Sequence, residues 1–335
     1  MTLEMLEDEL SRPGPEDFAL MRSIEGDIMV LGAGGKMGPS LARLARRAAD
    51  EAGCTRRRIF AVSRSVSDAV GNHLTPPGVE AISCDLLNRT QIERLPDCAN
   101  VLFLAGRKFG STDNQPLTWA TNALLPALVA ERFRGSRIVA LSSGNVYPLV
   151  TTAATEETRP GPVGEYAQSV LARERMFEYF SARYGTPVAI IRLNYAIDLR
   201  YGVLLDIGER VWQRRPVSLA MGAVNVIWQG DANSACLRAL AMASSPPLIL
   251  NVTGPERLRV RSIAERFGEI FGIQPAFEGT EAPTALLSDA SLCCRLLGPP
   301  RMSVERMIDM AAEWIRSGGP TLRKPTHFEV RDGAF

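Results

Sequence analysis

From Asp27 onward, short apolar runs alternate with stretches whose apolar residues recur at helical spacing. Ile28 to Leu31 is an apolar run with β-branched members, and it ends in the cluster GAGGKMG. SLARLARRAADEA follows, with Leu41, Leu44 and Ala48 on one helical face. Further strands are predicted at Ile59 to Val62, within AISCDL, at Asn100 to Gly106, at Arg137 to Ser143 and at Pro187 to Leu193. Between them the pattern predicts a helix through TWATNALLPALVAERF and a long one over EYAQSVLARERMFEYFSARYG, closed by Gly185. This alternation predicts an α/β fold with a doubly wound parallel sheet covered on both faces.

Residues 1–26 read as one or two short helices broken by Pro13 and Pro15, an appended segment suited to packing on a neighbour. After Leu193 the alternation loosens. Residues 194–335 predict mainly a smaller C-terminal α/β substrate domain, with helices at VRSIAERFGEIFG and SVERMIDMAAEWIRSG. It is partly interleaved with the 27–193 domain, to which a stretch near 224–254 returns.

Composition narrows the classes. Hydrophobic residues make up 46% and charged residues 22% of 335, enough for a full core. Lys+Arg (38) and Asp+Glu (37) nearly cancel, which argues against a nucleic-acid partner. No run approaches the roughly 18 apolar residues of a membrane span. The acidic start MTLEMLEDEL suits neither a secretory signal nor a transit peptide. Six scattered cysteines point to reduced thiols in a cytoplasmic protein. With only His73 and His327, no metal site is expected.

The chemistry starts at Gly32, Ala33, Gly34, Gly35, Lys36, Met37 and Gly38, between a strand and a helix. A turn there needs backbone angles that a β-carbon forbids, and the chain must approach a pyrophosphate closely. The helix N-terminus then presents N–H groups and a positive dipole to the phosphates. The fold is therefore Rossmann-type, and the expected ligand is a nicotinamide dinucleotide. An NAD site places Asp or Glu at the end of the second strand to hold the ribose hydroxyl. Here stand Ser63, Arg64 and Ser65, which suit a 2′-phosphate, so NADP is expected and NAD is the alternative. Arg64 as a solvated charge is the plain reading. Asp85 suits either the adenine amino group or a helix cap for LNRTQIERL.

As a set these motifs resemble the extended, epimerase/dehydratase-like branch of the short-chain dehydrogenase/reductase superfamily. Gly32, Gly35 and Gly38 resemble its G-x-x-G-x-x-G. Cys84-Asp85-Leu86 resembles its adenine-side motif, and Leu104-Ala105-Gly106 its fourth-strand motif. Asn122 lies where the family carries a structural Asn. VALSSGNVY puts Ser143 at the catalytic Ser/Thr position, and Tyr166 heads YAQSVLARE, similar to Y-x-x-S-K-x-x-x-E. Arg192 and Asn194, Gln229-Gly230-Asp231 and NVTGPE resemble later family segments. The resemblance implies that Ser143 and Tyr166 polarise the reacting oxygen while hydride moves to or from the nicotinamide. It also implies a homodimer built on the helices carrying Asn122 and Tyr166. Asn145, Tyr147, Asn194, Tyr195 and Gln229, with Arg200 and Asn225 nearby, would bind a small polyhydroxylated substrate, a sugar or sugar derivative.

One position departs from the pattern. Four residues after the tyrosine the family has lysine, and here stands Val170. A free phenol titrates near pH ~10 and acts as a base at neutral pH only beside a cation. Three readings stand open. Another cation substitutes, Lys108 first, then Arg107 or Arg173. Or Tyr166 serves only as an acid, for carbonyl reduction. Or redox chemistry is lost, leaving a non-catalytic dinucleotide sensor or scaffold.

Overall fold

The computed structural model describes residues 1–65, 78–324 and 326–334. His73 lies outside these. The strands β1 (Ile28–Leu31), β2 (Ile59–Ser63), β3 (Val79–Ser83), β4 (Asn100–Phe103), β5 (Arg137–Ser143), β6 (Val188–Leu193) and β7 (Leu248–Val252) form one sheet. Every neighbouring pair is parallel, in the order β3-β2-β1-β4-β5-β6-β7. The expected Rossmann-type sheet is present, and β7 is the late return to it.

Burial on both faces explains the unbroken apolar runs. Along β1 the side chains alternate: Ile28 and Val30 enter one core, Met29 and Leu31 the other. The first core is closed by α2 (Pro15–Ser23), α3 (Gly38–Glu51) and α9 (Gln229–Arg238), through Met21, Leu41, Leu44 and Leu237. The second is closed by α6 (Leu125–Arg132) and α7 (Gly164–Tyr184), through Leu128, Val129 and Phe177. Gly185, in a left-handed conformation at φ 71°, ends α7.

The remaining helices are α1 (Leu3–Leu10), α4 (Arg89–Glu93), α5 (Gln115–Trp119), α8 (Val203–Trp212), α10 (Val260–Phe271), α11 (Ser291–Leu297) and α12 (Val304–Arg316). A third core lies among α8, α10 and α12, forming the smaller C-terminal α/β region. The N-terminal segment packs on its own chain. Leu6 and Leu10 of α1 enter the third core, while Leu20 and Met21 of α2 enter the first.

The helix through TWATNALLPALVAERF is not uniform. Between α5 and α6, Ala120–Leu124 widens into a π turn, where the Leu125 N–H bonds to the Ala120 carbonyl. Pro126 has no N–H to offer the regular ladder. Asn122 sits fully buried in this turn.

Candidate active site

The sheet order reverses between β1 and β4, so the carboxyl ends of these strands open a crevice. At its mouth the glycine loop turns against the chain leaving β4. Gly32 has φ +86°, and a β-carbon on it would lie 2.6 Å from the Ala105 nitrogen. A β-carbon on Gly38 would lie 2.3 Å from the Ala33 carbonyl oxygen, so glycine alone lets α3 start here. The first turn of α3 then leaves its N–H groups without intrahelical partners, facing the crevice.

One cavity, of about 710 Å³, runs from this loop to the end of β2. Gly32, Gly34, Gly35, Ser63, Arg64, Ser65, Asp85, Leu86, Leu104, Ala105 and Gly106 all line it. Arg64 is exposed and Ser65 stands beside it, whereas the Ser63 hydroxyl donates to the Ser65 carbonyl at 2.9 Å. Asp85 is the one carboxylate among the described lining residues. It is not the helix cap: Asn88 caps α4, accepting from the Gln91 N–H at 3.2 Å. The crevice fits a dinucleotide, with glycines where a β-carbon would collide and a helix N-terminus at the turn.

A second cavity, of about 260 Å³, continues past the loop and is lined by Lys36, Met37, Gly38, Lys108, Ser143, Asn145, Tyr166, Arg173, Asn194, Tyr195 and Thr326, among others. Ser143 ends β5, and its Oγ accepts from the Asn145 N–H at 3.2 Å and its Nδ2 at 3.0 Å. The Tyr166 side chain hydrogen-bonds to Ser143. Burial pushes the phenol above its ordinary range, while Arg173 and the Ser143 bond pull it part of the way back.

Val170 does not face this cavity. It is fully buried among Val146, Tyr147 and Ala154. Arg173, two turns beyond Tyr166 on α7, reaches the cavity instead. Its Nη1 donates to the Leu141 carbonyl at 2.7 Å and its Nη2 to Asn122 Oδ1 at 2.8 Å. Asn122 is itself fixed, accepting from the Arg107 N–H at 2.8 Å and donating to the Arg107 carbonyl and Ser169 Oγ, each at 2.9 Å. Gly106 makes room, since a β-carbon there would lie 2.4 Å from Arg173 Nη2. Lys108 lies 5.9 Å from the centre of the Tyr166 ring and donates to the Thr326 carbonyl at 3.2 Å. The Arg173 charge draws the Tyr166 phenol down, against the effect of burial.

Several expected substrate contacts lie elsewhere. Gln229 is fully buried and donates to Ser40 Oγ at 3.1 Å, because the Gln-Gly-Asp segment opens α9 beneath the sheet. The Tyr147 hydroxyl is taken up by Arg192 at 2.8 Å and Asn251 at 2.9 Å. Arg200 turns to Asp198 and to Glu7 of α1. Asn225 binds Asn194 at 2.9 Å behind the wall. Asn145, Asn194 and Tyr195 line the cavity. Lys36 lines it through its side chain, which leaves the loop to donate to the Ala196 carbonyl at 3.1 Å. Tyr201 and Thr326 also line it, and neither stands out in the sequence. Among the described residues, no group of His, Cys, Asp or Glu forms a metal site, and no helix is long and apolar enough to cross a membrane.

Known proteins share this frame. Among curated proteins no sequence matches. An epimerase structure from Methanothermobacter thermautotrophicus is 19% identical, with TM-score 0.74, covering 91% of this chain and 96% of its own. A UDP-glucose 4-epimerase from Thermotoga maritima, with UDP-glucose, is 19% identical, with TM-score 0.71, covering 87% and 99%. A Thermus thermophilus UDP-glucose 4-epimerase in complex with NAD is 20% identical, with TM-score 0.69, covering 87% and 99%. At these identities the likeness is one of fold. Residues 28–196, just over half of the 335, match the NAD dependent epimerase/dehydratase family, and they contain the glycine loop, Ser143 and Tyr166. The chain belongs to that family of enzymes.

Proposed function

We propose that this chain is an NADP-dependent oxidoreductase or epimerase acting at a secondary alcohol or ketone of a sugar or sugar derivative. The observation that carries this is the Ser143–Tyr166 hydrogen bond on the wall of a cavity continuous with the glycine loop. A bound nicotinamide supplies or takes up hydride there.

The rest falls to the chain's own residues. Tyr166, kept neutral by burial, donates its proton to a substrate carbonyl oxygen as negative charge builds on it. Ser143, oriented by Asn145, donates to the same oxygen. In the reverse direction Tyr166 takes up the proton, and the Arg173 guanidinium supports the phenolate as the family's lysine would. NADP is supported by Arg64 and Ser65 beside the glycine loop, with no Asp or Glu at the end of β2. A homodimer is supported by exposed Trp119, Leu124 and Tyr179 on the α5–α6 and α7 helices.

The experiment is a screen of NADPH-loaded protein against sugar ketones, with Tyr166→Phe as control. Turnover abolished by the substitution supports the enzyme. Tight cofactor binding with turnover unaffected by Tyr166→Phe removes the proposed acid.

A further inference from the structure

Two lysines line the cavity that holds Ser143 and Tyr166. Lys36 comes from the glycine loop and Lys108 from the chain after β4. Lys36 Nζ stands 3.8 Å over the Tyr201 ring and donates to the Ala196 carbonyl at 3.1 Å. Lys108 Nζ donates to the Thr326 carbonyl at 3.2 Å. Arg107 and Arg173 line the same cavity, and no Asp or Glu does so among its described lining residues.

The carboxylates behind the walls have partners of their own. Asp198 is gripped by Arg200 Nε at 3.0 Å and Nη2 at 2.7 Å. Asp206 accepts from the Thr326 N–H at 2.8 Å and from its hydroxyl. Burial draws Lys36 down to about 7, with Asp198 opposing it and Lys108 adding a smaller repulsion. Burial draws Lys108 down to about 8. Desolvated ammonium groups are costly, and an anion bound in the cavity they both line offsets that cost. A pyrophosphate does not answer this need, since it sits on the loop's own N–H groups. Lys36 instead reaches past β6, on the Ser143 side of the sheet.

We propose that the cavity selects an anionic polyol, one carrying a carboxylate or a phosphate, and that Lys36 and Lys108 hold the charged group. This rests on the cavity being the substrate site proposed above. It narrows that site from polyols in general to sugar acids or sugar phosphates.

The test is calorimetry on dinucleotide-saturated protein titrated with glucuronate, glucose 6-phosphate and uncharged glucose. At least one anionic probe should bind about tenfold or more tighter than glucose, as charge-assisted hydrogen bonds imply. Which of the two does so separates carboxylate from phosphate. Lys36→Met and Lys108→Met should each remove that margin, and dinucleotide affinity in Lys36→Met should stay within about threefold. Lys36→Arg should retain it. Equal affinity for all three probes, no binding by either anion, or a margin untouched by both Met variants overturns the proposal. So does a dinucleotide affinity that falls about tenfold in Lys36→Met, which puts that ammonium on the cofactor. Failure of wild-type protein to bind any dinucleotide strikes the glycine-loop reading beneath it, and shows before a probe is added.

Discussion

Arg173 lies two helical turns beyond Tyr166 on α7, and its guanidinium is clamped between the Leu141 carbonyl and Asn122 Oδ1 at 2.7 and 2.8 Å. The clamp fixes a positive charge near the phenol without using the position four residues after it. The Tyr166 phenol is raised by burial, so its neutral form persists beyond the pH at which an ordinary tyrosine ionises. Reduction, which needs that form, should therefore hold flat through neutral pH and decline only on the alkaline side. Oxidation should rise with pH. Arg173→Met raises the phenol further, so the oxidative rate should fall about tenfold to a hundredfold and its alkaline rise should move to higher pH. Arg173→Lys should recover part of the rate. A pH–rate profile unchanged in Arg173→Met would remove Arg173 from this role.

Val170→Lys writes the family's lysine into the sequence, yet the structure predicts harm. The site is a fully buried apolar cluster with Val146, Tyr147 and Ala154. An unpaired ammonium there should lower stability by roughly 4 kcal/mol, read from a denaturant midpoint, with no gain in activity. A faster variant of wild-type stability would show that the cavity lacks its cation.

Gly38→Ala tests the cradle. Its new β-carbon would meet the Ala33 carbonyl oxygen at 2.3 Å, so the loop must shift. Dinucleotide affinity should drop about a hundredfold or more, by the cost of small misplacements, with the far-ultraviolet spectrum retained. Unchanged affinity would mean that the phosphates sit elsewhere.

The Arg192–Glu174 pair is nearly inaccessible to water and joined at 2.7 Å. Arg192 Nε adds a second bond at 3.0 Å, and Ser142 donates to the same carboxylate. Glu174→Ala leaves the guanidinium buried and unpaired and should cost about 3 to 5 kcal/mol in unfolding free energy. A loss below about 1 kcal/mol would assign the pair a surface-like weight.

The fold was legible because β1, β2, β4, β5 and β6 are short, largely apolar runs buried on both faces, and Gly185 marks the end of α7 plainly. The glycine loop stood out by its spacing, and Ser143 and Tyr166 through the family resemblance. The rest depends on contacts distant in sequence. Nothing local shows that Pro126 widens the helix into a π turn and delivers Asn122 to Arg173. The family's lysine pattern points to one turn after Tyr166, whereas Arg173, two turns away, is the α7 cation that lines the cavity. The family resemblance assigns Gln229 to the substrate, yet it begins a helix packed beneath the sheet and donates to Ser40. Thr326 comes from the C-terminal tail, and its bonds to Asp206 and Lys108 hold it at the cavity.

Arg64→Asp should reverse cofactor choice. A carboxylate there repels a 2′-phosphate and accepts from a ribose hydroxyl. NADPH affinity should fall and NADH affinity rise, giving a change in their ratio of about a hundredfold. An unaltered ratio would leave Arg64 as a solvated charge.

The most direct measurement is a calorimetric titration of the wild-type protein with NADPH and with NADH. One saturable site per chain is predicted, with NADPH about tenfold or more the tighter ligand. No heat of binding with either dinucleotide would contradict the account at its root.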